Sequence, residues 1–237
     1  MKLTPRLAAI AELVPADSIV ADIGTDHAYL PVYLVQEQIS RRVVASDIHS
    51  APLAQARATV AAFNCLYKID LRLGNGLQVL RTEDEVDTVV IAGLGGRTIT
   101  LLLEEGREKL NSVQHLILQP MNDAGVLRVY LARHGFALER ESLVLEGRRL
   151  YEVILARPGQ EKEADQFRLA LGPRLLEDRP LLLARLLREK IRKLKTARLQ
   201  MQNARRENIA QKIREVEQEL SSLEEVLAGA TFRADAD

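Results

Sequence analysis

The chain has 237 residues, of which 47% are apolar and 28% are charged, and its formal net charge is zero. This length accommodates one α/β domain with a large core, or one domain with an appendage. No segment approaches the roughly 18 consecutive apolar residues of a membrane helix, and the N-terminus has no signal-peptide core. The single cysteine, Cys65, rules out an internal disulfide and a thiolate metal site. We therefore expect a cytoplasmic protein with no membrane segment.

Residues 1–157 alternate short apolar runs with longer amphipathic stretches. An amphipathic pattern predicts a first helix over residues 3–14. The predicted strands are Ile19–Ile23, Val43–Asp47, Ile69–Leu73, Thr88–Ala92 and Leu116–Gln119. The helices predicted between them are Tyr29–Gln38, Leu53–Phe63, Gly96–Lys109 and Ala124–His134. Such alternation of apolar strands with helices is typical of a parallel sheet covered on both faces.

The last two predicted strands, Phe136–Leu145 and Leu150–Ala156, flank a Glu-Gly-Arg-Arg turn at residues 146–149. This pattern predicts a β-hairpin, and hence an antiparallel strand at the edge of the sheet. A seven-stranded, mostly parallel sheet that ends in such a hairpin is the Rossmann-like class I methyltransferase variant of the doubly wound α/β fold. The distinction from the dinucleotide-binding variant depends on these two strands.

Residues 158–163 are predicted as a linker, so we divide the chain into a domain over 1–157 and a second domain over 158–237. Beyond the linker, apolar residues follow steps of three and four in two stretches, separated by polar residues near 203–208. This pattern predicts an antiparallel helical hairpin, a short coiled coil. A coiled coil between two chains is the alternative, so the oligomeric state is open, with a monomer favoured.

The charges of this second region are unevenly distributed. Residues 179–214 contain twelve Lys or Arg and two acids, whereas residues 215–237 contain seven acids and one Arg. A basic stretch of this kind is informative about partners rather than about the fold.

A glycine-containing turn at residues 22–27, Asp-Ile-Gly-Thr-Asp-His, follows the first predicted strand and precedes a helix. A nucleotide-binding loop occupies this place, and the glycine allows a close approach of the ligand. The segment lacks the glycine spacing of a dinucleotide site and the Gly-Lys-Ser/Thr of a phosphate-binding loop. An acid at the strand end suits a cationic ligand without phosphate. We therefore predict S-adenosylmethionine, with its ammonium and sulfonium groups, as a cofactor bound by Asp22, Gly24, Asp26 and His27.

Asp47 ends the second predicted strand, about twenty residues beyond the glycine turn, as the ribose-binding acid of such folds does. A carboxylate there bonds the ribose of an adenosyl group or of NAD, so it does not separate the two cofactors. Asn75 ends the third strand, where many methyltransferases contact the adenine amino group; an ordinary Asn-Gly turn is the alternative. Ile48, Gly76 and Gly93 are predicted as further cofactor-binding residues.

The fourth strand ends in Gly93-Leu94-Gly95-Gly96, a position that normally faces the methyl acceptor. The Asn/Asp-Pro-Pro-aromatic tetrapeptide typical of exocyclic amino-group methylation is missing from the sequence here, and no Pro-Cys nucleophile stands in its place. The glycines predict an open floor for a flat base, with Gly95 and Gly96 binding the substrate. By elimination, a ring nitrogen becomes the favoured acceptor.

Three segments together resemble the bacterial tRNA (adenine-22-N1)-methyltransferase family, TrmK. They are Asp-Ile-Gly-Thr-Asp-His-Ala-Tyr-Leu-Pro at 22–31, Ala-Gly-Leu-Gly-Gly at 92–96 and Leu-Gln-Pro at 118–120. The resemblance covers the whole chain, since that family also joins a Rossmann-like domain to a C-terminal coiled coil. It implies methyl transfer from S-adenosylmethionine to N1 of an adenine in the D-arm region of tRNA. The target nucleotide follows from the resemblance alone.

Adenine N1 carries a lone pair, so its attack on a methyl group needs no prior proton removal, and the product base is a cation. Orientation and nearby negative charge are therefore expected to drive catalysis. Asp26 is the first candidate catalytic residue, with His27 as hydrogen-bond partner or proton acceptor and Tyr29 stacking on a flipped base. The alternatives are helix capping by Asp26, a merely polar loop position for His27 and a core position for Tyr29. Gln119 is predicted to bond the target base, with a strand-terminating turn as its alternative.

Arg188, Arg192 and Lys195 belong to the basic stretch and are predicted to contact tRNA phosphates, which gives salt-dependent, sequence-independent affinity. Pairing of these charges with the acidic second helix is the alternative. No His, Cys or carboxylate spacing indicates a metal site. Two other functions stay open, namely methyl transfer to another RNA or a small molecule, and a non-catalytic adapter that uses its coiled coil for a partner.

Overall fold

The computed structural model describes residues 1–202 and 209–229, and its first part is built on a seven-stranded sheet. The strands are β1 (Ser18–Ile23), β2 (Ser40–Asp47), β3 (Ile69–Leu73), β4 (Thr88–Leu94), β5 (His115–Pro120), β6 (Phe136–Glu146) and β7 (Arg149–Pro158). Their order across the sheet is β3-β2-β1-β4-β5-β7-β6. All neighbouring pairs up to β5 are parallel, whereas β7 lies antiparallel to both β5 and β6. The predicted class I methyltransferase fold is therefore confirmed.

The helices follow the predicted alternation with the strands. They are α1 (Pro5–Ala11), α2 (Tyr29–Gln36), α3 (Ser50–Ala62), α4 (Gly96–Glu105), α5 (Ala124–Arg133), α6 (Gln166–Leu171), α7 (Pro173–Asp178), α8 (Leu181–Gln202) and α9 (Ile209–Gly229). The first helix is shorter than the predicted span over 3–14. Thr4 caps it by accepting a hydrogen bond from the Leu7 N–H, and Pro5 takes the first helical position, where proline is favoured.

Two hydrophobic cores lie on opposite faces of the sheet. Consecutive residues of a strand point to opposite faces, and accordingly Val20 packs in one core while Ala21 packs in the other. Val89 and Val90 of β4 divide between the cores in the same way. This is why the strands of the parallel sheet are continuously apolar, as the sequence indicated.

The β6–β7 hairpin is tied to the helical layer by a buried ion network. The fully buried guanidinium of Arg128, on α5, donates to Glu141 of β6 at 2.5 Å and to Glu152 of β7 at 2.8 Å. A buried charge is tolerated only when it is paired in this manner. The network joins the hairpin to α5, and the turn of the hairpin lies beside the first helix, where Glu146 accepts from the Arg6 N–H.

The chain divides into two compact units, of which the first is Met1–Arg174 and the second begins at Leu175. The first unit thus extends beyond the boundary after residue 157 that the sequence suggested. Residues 158–174 join it because α6 packs on α5 and because Arg174 returns to the sheet, donating to the Leu138 carbonyl at 2.9 Å and to Glu161 at 2.9 Å. The predicted linker therefore does not separate the two units.

The second unit contains α8 and α9, which pack on each other in opposite directions. Lys195 of α8 pairs with Glu224 of α9 at 2.7 Å, and Arg198 pairs with Glu217 at 3.6 Å, so rising numbers on one helix meet falling numbers on the other. The two helices form a hairpin within one chain, while a supercoiled coiled-coil geometry stays a prediction. The predicted polar break at 203–208 lies outside the described residues. Over residues 1–202 and 209–229, no helix is long and apolar enough to cross a membrane.

Candidate active site

A cleft of about 700 Å³ opens at the carboxyl edge of the sheet, around the ends of β1, β2 and β4. The strand order reverses between β1 and β4, and open α/β sheets bind their ligands at this kind of switch point. Every residue predicted to bind the cofactor lines the cleft, namely Asp22, Gly24, Asp26, His27, Asp47, Ile48, Asn75, Gly76 and Gly93. The predicted catalytic residue Tyr29 lines it as well.

Asp22 ends β1 inside the cleft and is only 5% exposed. Burial and, to a smaller extent, the nearby Asp47 carboxylate raise the pKa of its carboxyl group to about 6. A carboxylate in such surroundings is stabilised by a cationic ligand, since opposite charge favours the ionised form. The site therefore suits an ammonium group.

Asp47 ends β2 and is also buried, and its Oδ1 atom accepts the backbone N–H of His49 at 2.9 Å. This bond fixes the carboxylate and leaves its second oxygen for a ligand. The next side chain, Ile48, is apolar and yet 57% exposed at the rim of the cleft. An exposed apolar side chain beside a polar anchor is a feature of nucleoside sites, where a flat base is covered on one face.

Asn75 and Gly76 form the rim below β3. Asn75 is exposed and precedes a short 3-10 turn at 76–79 without capping it through its side chain. Gly76 has a φ of +52°, and a Cβ atom there would lie 2.7 Å from Leu102. Packing and backbone conformation therefore both require the glycine, and a contact between Gly76 and the cofactor stays a prediction.

Gly24 and Gly93 stand on the neighbouring strand ends of β1 and β4, and each has a φ of +80°. A Cβ atom on Gly24 would have Leu94 as its nearest neighbour at 4.0 Å, and one on Gly93 would have Arg6 at 3.7 Å. Side chains here would enter the open cleft instead of meeting protein. The two glycines thus form a cradle that fits a ligand in direct contact with the backbone.

Asp26, His27 and Tyr29 extend the same loop toward solvent. Asp26 and Ala28 both have left-handed backbones, with φ of +52° and +56°. The His27 and Tyr29 rings stack with their centroids 5.5 Å apart, and His27 Nε2 lies 3.7 Å from Asp26 Oδ2. The side chain of Asp26 is 67% exposed, and Tyr29 is 45% exposed. The loop therefore presents a carboxylate, an imidazole and a phenol ring together at the cleft.

Two of the alternative interpretations for this loop do not hold. Helix α2 begins at Tyr29 with Ala28 as its N-cap residue and has no side-chain capping bond, so Asp26 does not cap it. The exposure of Tyr29 excludes a core position.

The open glycine floor predicted at Gly95 and Gly96 is wrong, because these two residues do not line the cleft. A Cβ atom on Gly96 would lie 2.4 Å from the Asp123 carbonyl oxygen, and one on Gly95 would lie 3.0 Å from the Asn122 side chain. The Gly96 N–H donates to the Asn122 carbonyl at 3.0 Å. The glycines let α4 approach the loop after β5, so their role in the structure is packing.

Gln119 is fully buried at the end of β5, and it is not placed to bond a target base. Its Oε1 atom accepts from Arg6 Nη1 at 2.8 Å and from the Gly93 N–H at 3.2 Å. Its Nε2 atom donates to the Pro120 carbonyl at 3.0 Å. The amide is thus used entirely within the protein, where it joins the first helix to the end of β4.

Arg6 and Tyr151 line the cleft and were not predicted from the sequence. The Arg6 guanidinium lies over the Tyr151 ring, 5.6 Å from its centroid. The only local signal is a basic residue just after the Thr4-Pro5 start of a helix. Its placement depends on a contact with Gln119, 113 positions away in sequence, which no local pattern indicates.

The three predicted RNA-binding cations lie on α8 in the second unit. Arg188 and Arg192 are exposed, and neither forms an ion pair with any residue in the described ranges. Lys195 pairs with Glu224, so the proposed pairing across the hairpin holds for this residue. No cluster of three or more His, Cys, Asp or Glu side chains able to hold a metal ion occurs within residues 1–202 and 209–229.

The fold and the cleft define an S-adenosylmethionine-dependent methyltransferase of class I. The family model for tRNA (adenine(22)-N(1))-methyltransferase, TrmK, matches residues 20–225. The chain belongs to this family, and it is therefore an S-adenosylmethionine-dependent tRNA (adenine-N1)-methyltransferase. The family, the cofactor and the activity predicted from the sequence are confirmed.

Individual relatives agree with this assignment. The tRNA (adenine(22)-N(1))-methyltransferase of Bacillus subtilis is 37% identical over 173 residues, which are 73% of this chain and 72% of that protein. The Streptococcus pneumoniae protein Sp1610, solved with S-adenosyl-L-methionine, is 31% identical with a TM-score of 0.87, over 95% of this chain and 100% of that one. TrmK of M. capricolum, solved with S-adenosyl-homocysteine, is 26% identical with a TM-score of 0.84, over 96% and 99% of the two chains.

Proposed function

We propose that the cleft of the first unit binds S-adenosylmethionine with its adenosyl end toward β2 and β3 and its amino-acid end toward β1 and β4. Asp47 is the partner of the ribose hydroxyls, Asn75 of the adenine amino group, and Asp22 of the α-ammonium group. What supports this arrangement is the burial of Asp22 and Asp47 at the cleft, together with the side-chain-free cradle of Gly24 and Gly93. The bound cofactor supplies an electrophilic methyl group on a sulfonium.

Asp26, His27 and Tyr29 receive the target adenine in this proposal. The observation that carries it is that these three side chains lie together at the cleft, with the Asp26 carboxylate and the Tyr29 ring both exposed. Tyr29 offers an exposed ring on which a flipped base stacks, and His27 is held beside it by the ring contact.

The chemical step needs orientation more than proton transfer. The N1 lone pair of adenine forms the new N–C bond as the methyl–sulfur bond breaks, so sulfur becomes a neutral thioether and the positive charge moves to the base. The carboxylate of Asp26 stabilises this developing charge and accepts a hydrogen bond from the adenine amino group. His27 lies beside Asp26, with 3.7 Å between its Nε2 and Oδ2, and stacks on the Tyr29 ring.

The second unit contributes RNA affinity through the exposed face of α8. Arg188 and Arg192 are without acidic partners among the described residues, so their charges are open to phosphates. Contacts of this kind carry affinity without sequence information. Lys195 shares its charge with Glu224 and is expected to contribute less.

Methylation of bulk tRNA that lacks the modification, followed by nucleoside mass spectrometry, tests the proposal. We expect 1-methyladenosine as the product, with no other methylated nucleoside above background. The R188Q/R192Q double variant should raise the KM for tRNA several-fold and flatten its salt dependence, while Lys195→Gln, the matched control, changes both less. A product methylated elsewhere, or an unchanged KM in the double variant, contradicts the corresponding part of the proposal.

A further inference from the structure

Arg6 is the one Lys or Arg among the described residues that line the cleft. The other charged side chains at the cleft wall are the acids Asp22, Asp26 and Asp47. A lone guanidinium in a cleft dominated by acids calls for a specific explanation, because general attraction of polyanionic RNA would favour several cations over one.

Arg6 is held by two contacts of its guanidinium and one contact of its backbone. Its Nη1 atom donates to the buried Gln119 at 2.8 Å, and its Cζ atom lies 5.6 Å from the centroid of the Tyr151 ring. The backbone N–H of Arg6 donates to Glu146 at 3.0 Å, which anchors the start of α1 to the hairpin turn. An arginine held in this way has lost its conformational freedom before any ligand arrives, so its remaining donors are pre-organised.

Within the part of the chain that the structure describes, the guanidinium of Arg6 has no carboxylate at ion-pair distance. Glu146 accepts the backbone N–H of Arg6, and the charge of Arg6 contributes to the lowered pKa of the Glu146 carboxyl group, but the two side chains form no ion pair. The neutral partner of Arg6, Gln119, accepts through the same oxygen atom that accepts the Gly93 N–H. The guanidinium therefore lies next to Gly93, one of the two glycines of the cradle. Its remaining N–H donors are available to an anion.

A negatively charged residue, Asp22, lies on the other side of the glycine cradle from Arg6. Gly24 and Gly93 lie on adjacent strands, since Ile23 pairs with Ile91 in the parallel register of β1 and β4. Asp22 lies two residues before Gly24 and is buried there. An acid on one side and an arginine on the other match a zwitterion, and the amino-acid end of S-adenosylmethionine is a zwitterion.

We propose that Arg6 binds the α-carboxylate of the cofactor and thereby selects ligands that carry an intact amino-acid end. Gln119 and Tyr151 are positioning residues that hold the guanidinium, and Glu146 anchors the backbone of Arg6. The inference rests on the proposed binding of the cofactor in this cleft, and it adds a residue of the first helix to that site.

Two ligands that differ only in this carboxylate provide the test. We expect wild-type protein to bind S-adenosylhomocysteine about 10- to 100-fold more tightly than decarboxylated S-adenosylhomocysteine in calorimetry, which is the usual size of a charge-assisted hydrogen bond. In Arg6→Met that ratio should fall to about threefold or less, through weaker binding of S-adenosylhomocysteine alone. Arg6→Lys keeps the charge and should retain an intermediate ratio.

Arg57→Met is the matched control, because Arg57 is an exposed arginine of α3 in the same unit and does not line the cleft. It should keep the full wild-type ratio. If Arg6→Met does not fold, comparing the affinities of wild-type protein for the two ligands still shows whether the carboxylate is recognised.

Three outcomes overturn the inference. They are a wild-type ratio near one, an unchanged ratio in Arg6→Met, and an equal loss of affinity for both ligands in Arg6→Met. If the ratio is unchanged and the KM for tRNA rises instead, Arg6 faces an RNA phosphate. Failure of the wild-type protein to bind either ligand contradicts the proposed function itself, so the two failures are distinguishable.

Discussion

Asp22 and Asp26 stand four residues apart in one loop and have opposite surroundings. Asp22 is 5% exposed at the end of β1, whereas the side chain of Asp26 is 67% exposed on a left-handed backbone. Burial raises the pKa of Asp22 to about 6, so a cationic partner would stabilise its ionised form. Asp26 reaches solvent at the mouth of the same cleft.

The two acids show how a short loop serves two ligands. The position of Asp22 follows from the register of a central strand, so the rest of the sheet determines it. Asp26 lies beyond the end of β1, in the loop that leads to α2, and its backbone is left-handed with a φ of +52°. We infer that the buried acid is adapted to the cofactor, which stays within the cleft, and the exposed acid to a base that must enter from outside.

Removal of the exposed carboxylate of Asp26 should give the largest change in activity. Asp26→Ala is expected to lower kcat about 10²- to 10³-fold, the usual effect of removing one preorganised electrostatic partner of a transition state. The dissociation constant for S-adenosylhomocysteine should change by about threefold or less, because the proposed partners of the cofactor are buried elsewhere. Single-turnover methylation of tRNA and calorimetry measure the two quantities.

Asp17→Ala is the matched control for that variant. Asp17 is also an exposed aspartate with a positive φ, +62°, and it lies outside the cleft. It should keep wild-type kcat. Equal losses of kcat and of cofactor affinity in Asp26→Ala would instead make Asp26 a cofactor ligand, and the contrast between the two acids would disappear.

The buried acid should control the pH dependence of cofactor binding. Because the pKa of Asp22 is about 6 without ligand, only about a tenth of this group is ionised at pH 5 and about nine tenths at pH 7. Affinity for S-adenosylhomocysteine, whose ammonium needs the ionised form, should therefore rise about tenfold between these pH values. Asp22→Asn should bind more weakly and lack this rise, as calorimetry at both pH values will show. A rise that persists in Asp22→Asn assigns the titration to another group.

The raised pKa of Asp22 also determines whether the free energy of unfolding rises or falls with pH. The carboxyl pKa is 3.8 in the unfolded chain and about 6 in the folded one, so protonation favours the folded state. Ligand-free stability should accordingly fall as the pH rises from about 4 to about 6, by up to about 3 kcal/mol from this group. Asp22→Asn should unfold at higher denaturant concentration than wild type at pH 7, with the difference shrinking toward pH 4.

The fold and the cofactor half of the site were predictable because both depend on local patterns. Apolar strands that alternate with helices specify the sheet, and the acids Asp22 and Asp47 end two of those strands. Parallel strands bring their carboxyl ends to one edge, so sequence position alone brings these residues together.

The predictions that failed concern residues whose roles depend on tertiary contacts. Gly95 and Gly96 are glycines because the loop after β5 approaches them closely, and that loop is distant in sequence. Gln119 ends a strand as expected, yet its amide turns into the protein toward Arg6 instead of the cleft. Residue type and spacing indicate that a position carries a structural or functional constraint, but they do not identify the residue in contact that imposes it.

The backbone strain at Asp26 gives the smallest predicted effect. A non-glycine residue in the left-handed region costs about 1–2 kcal/mol relative to glycine, less for Asp itself. Asp26→Gly should therefore be about 1 kcal/mol more stable than Asp26→Ala in urea unfolding, and the same pair of substitutions at Asp17 should show the same difference. Both Asp26 variants should lose kcat equally, since both lack the carboxylate. Recovery of turnover in Asp26→Gly would show that the loop acts through its backbone, and equal stability of the two variants would show that the loop relaxes without strain.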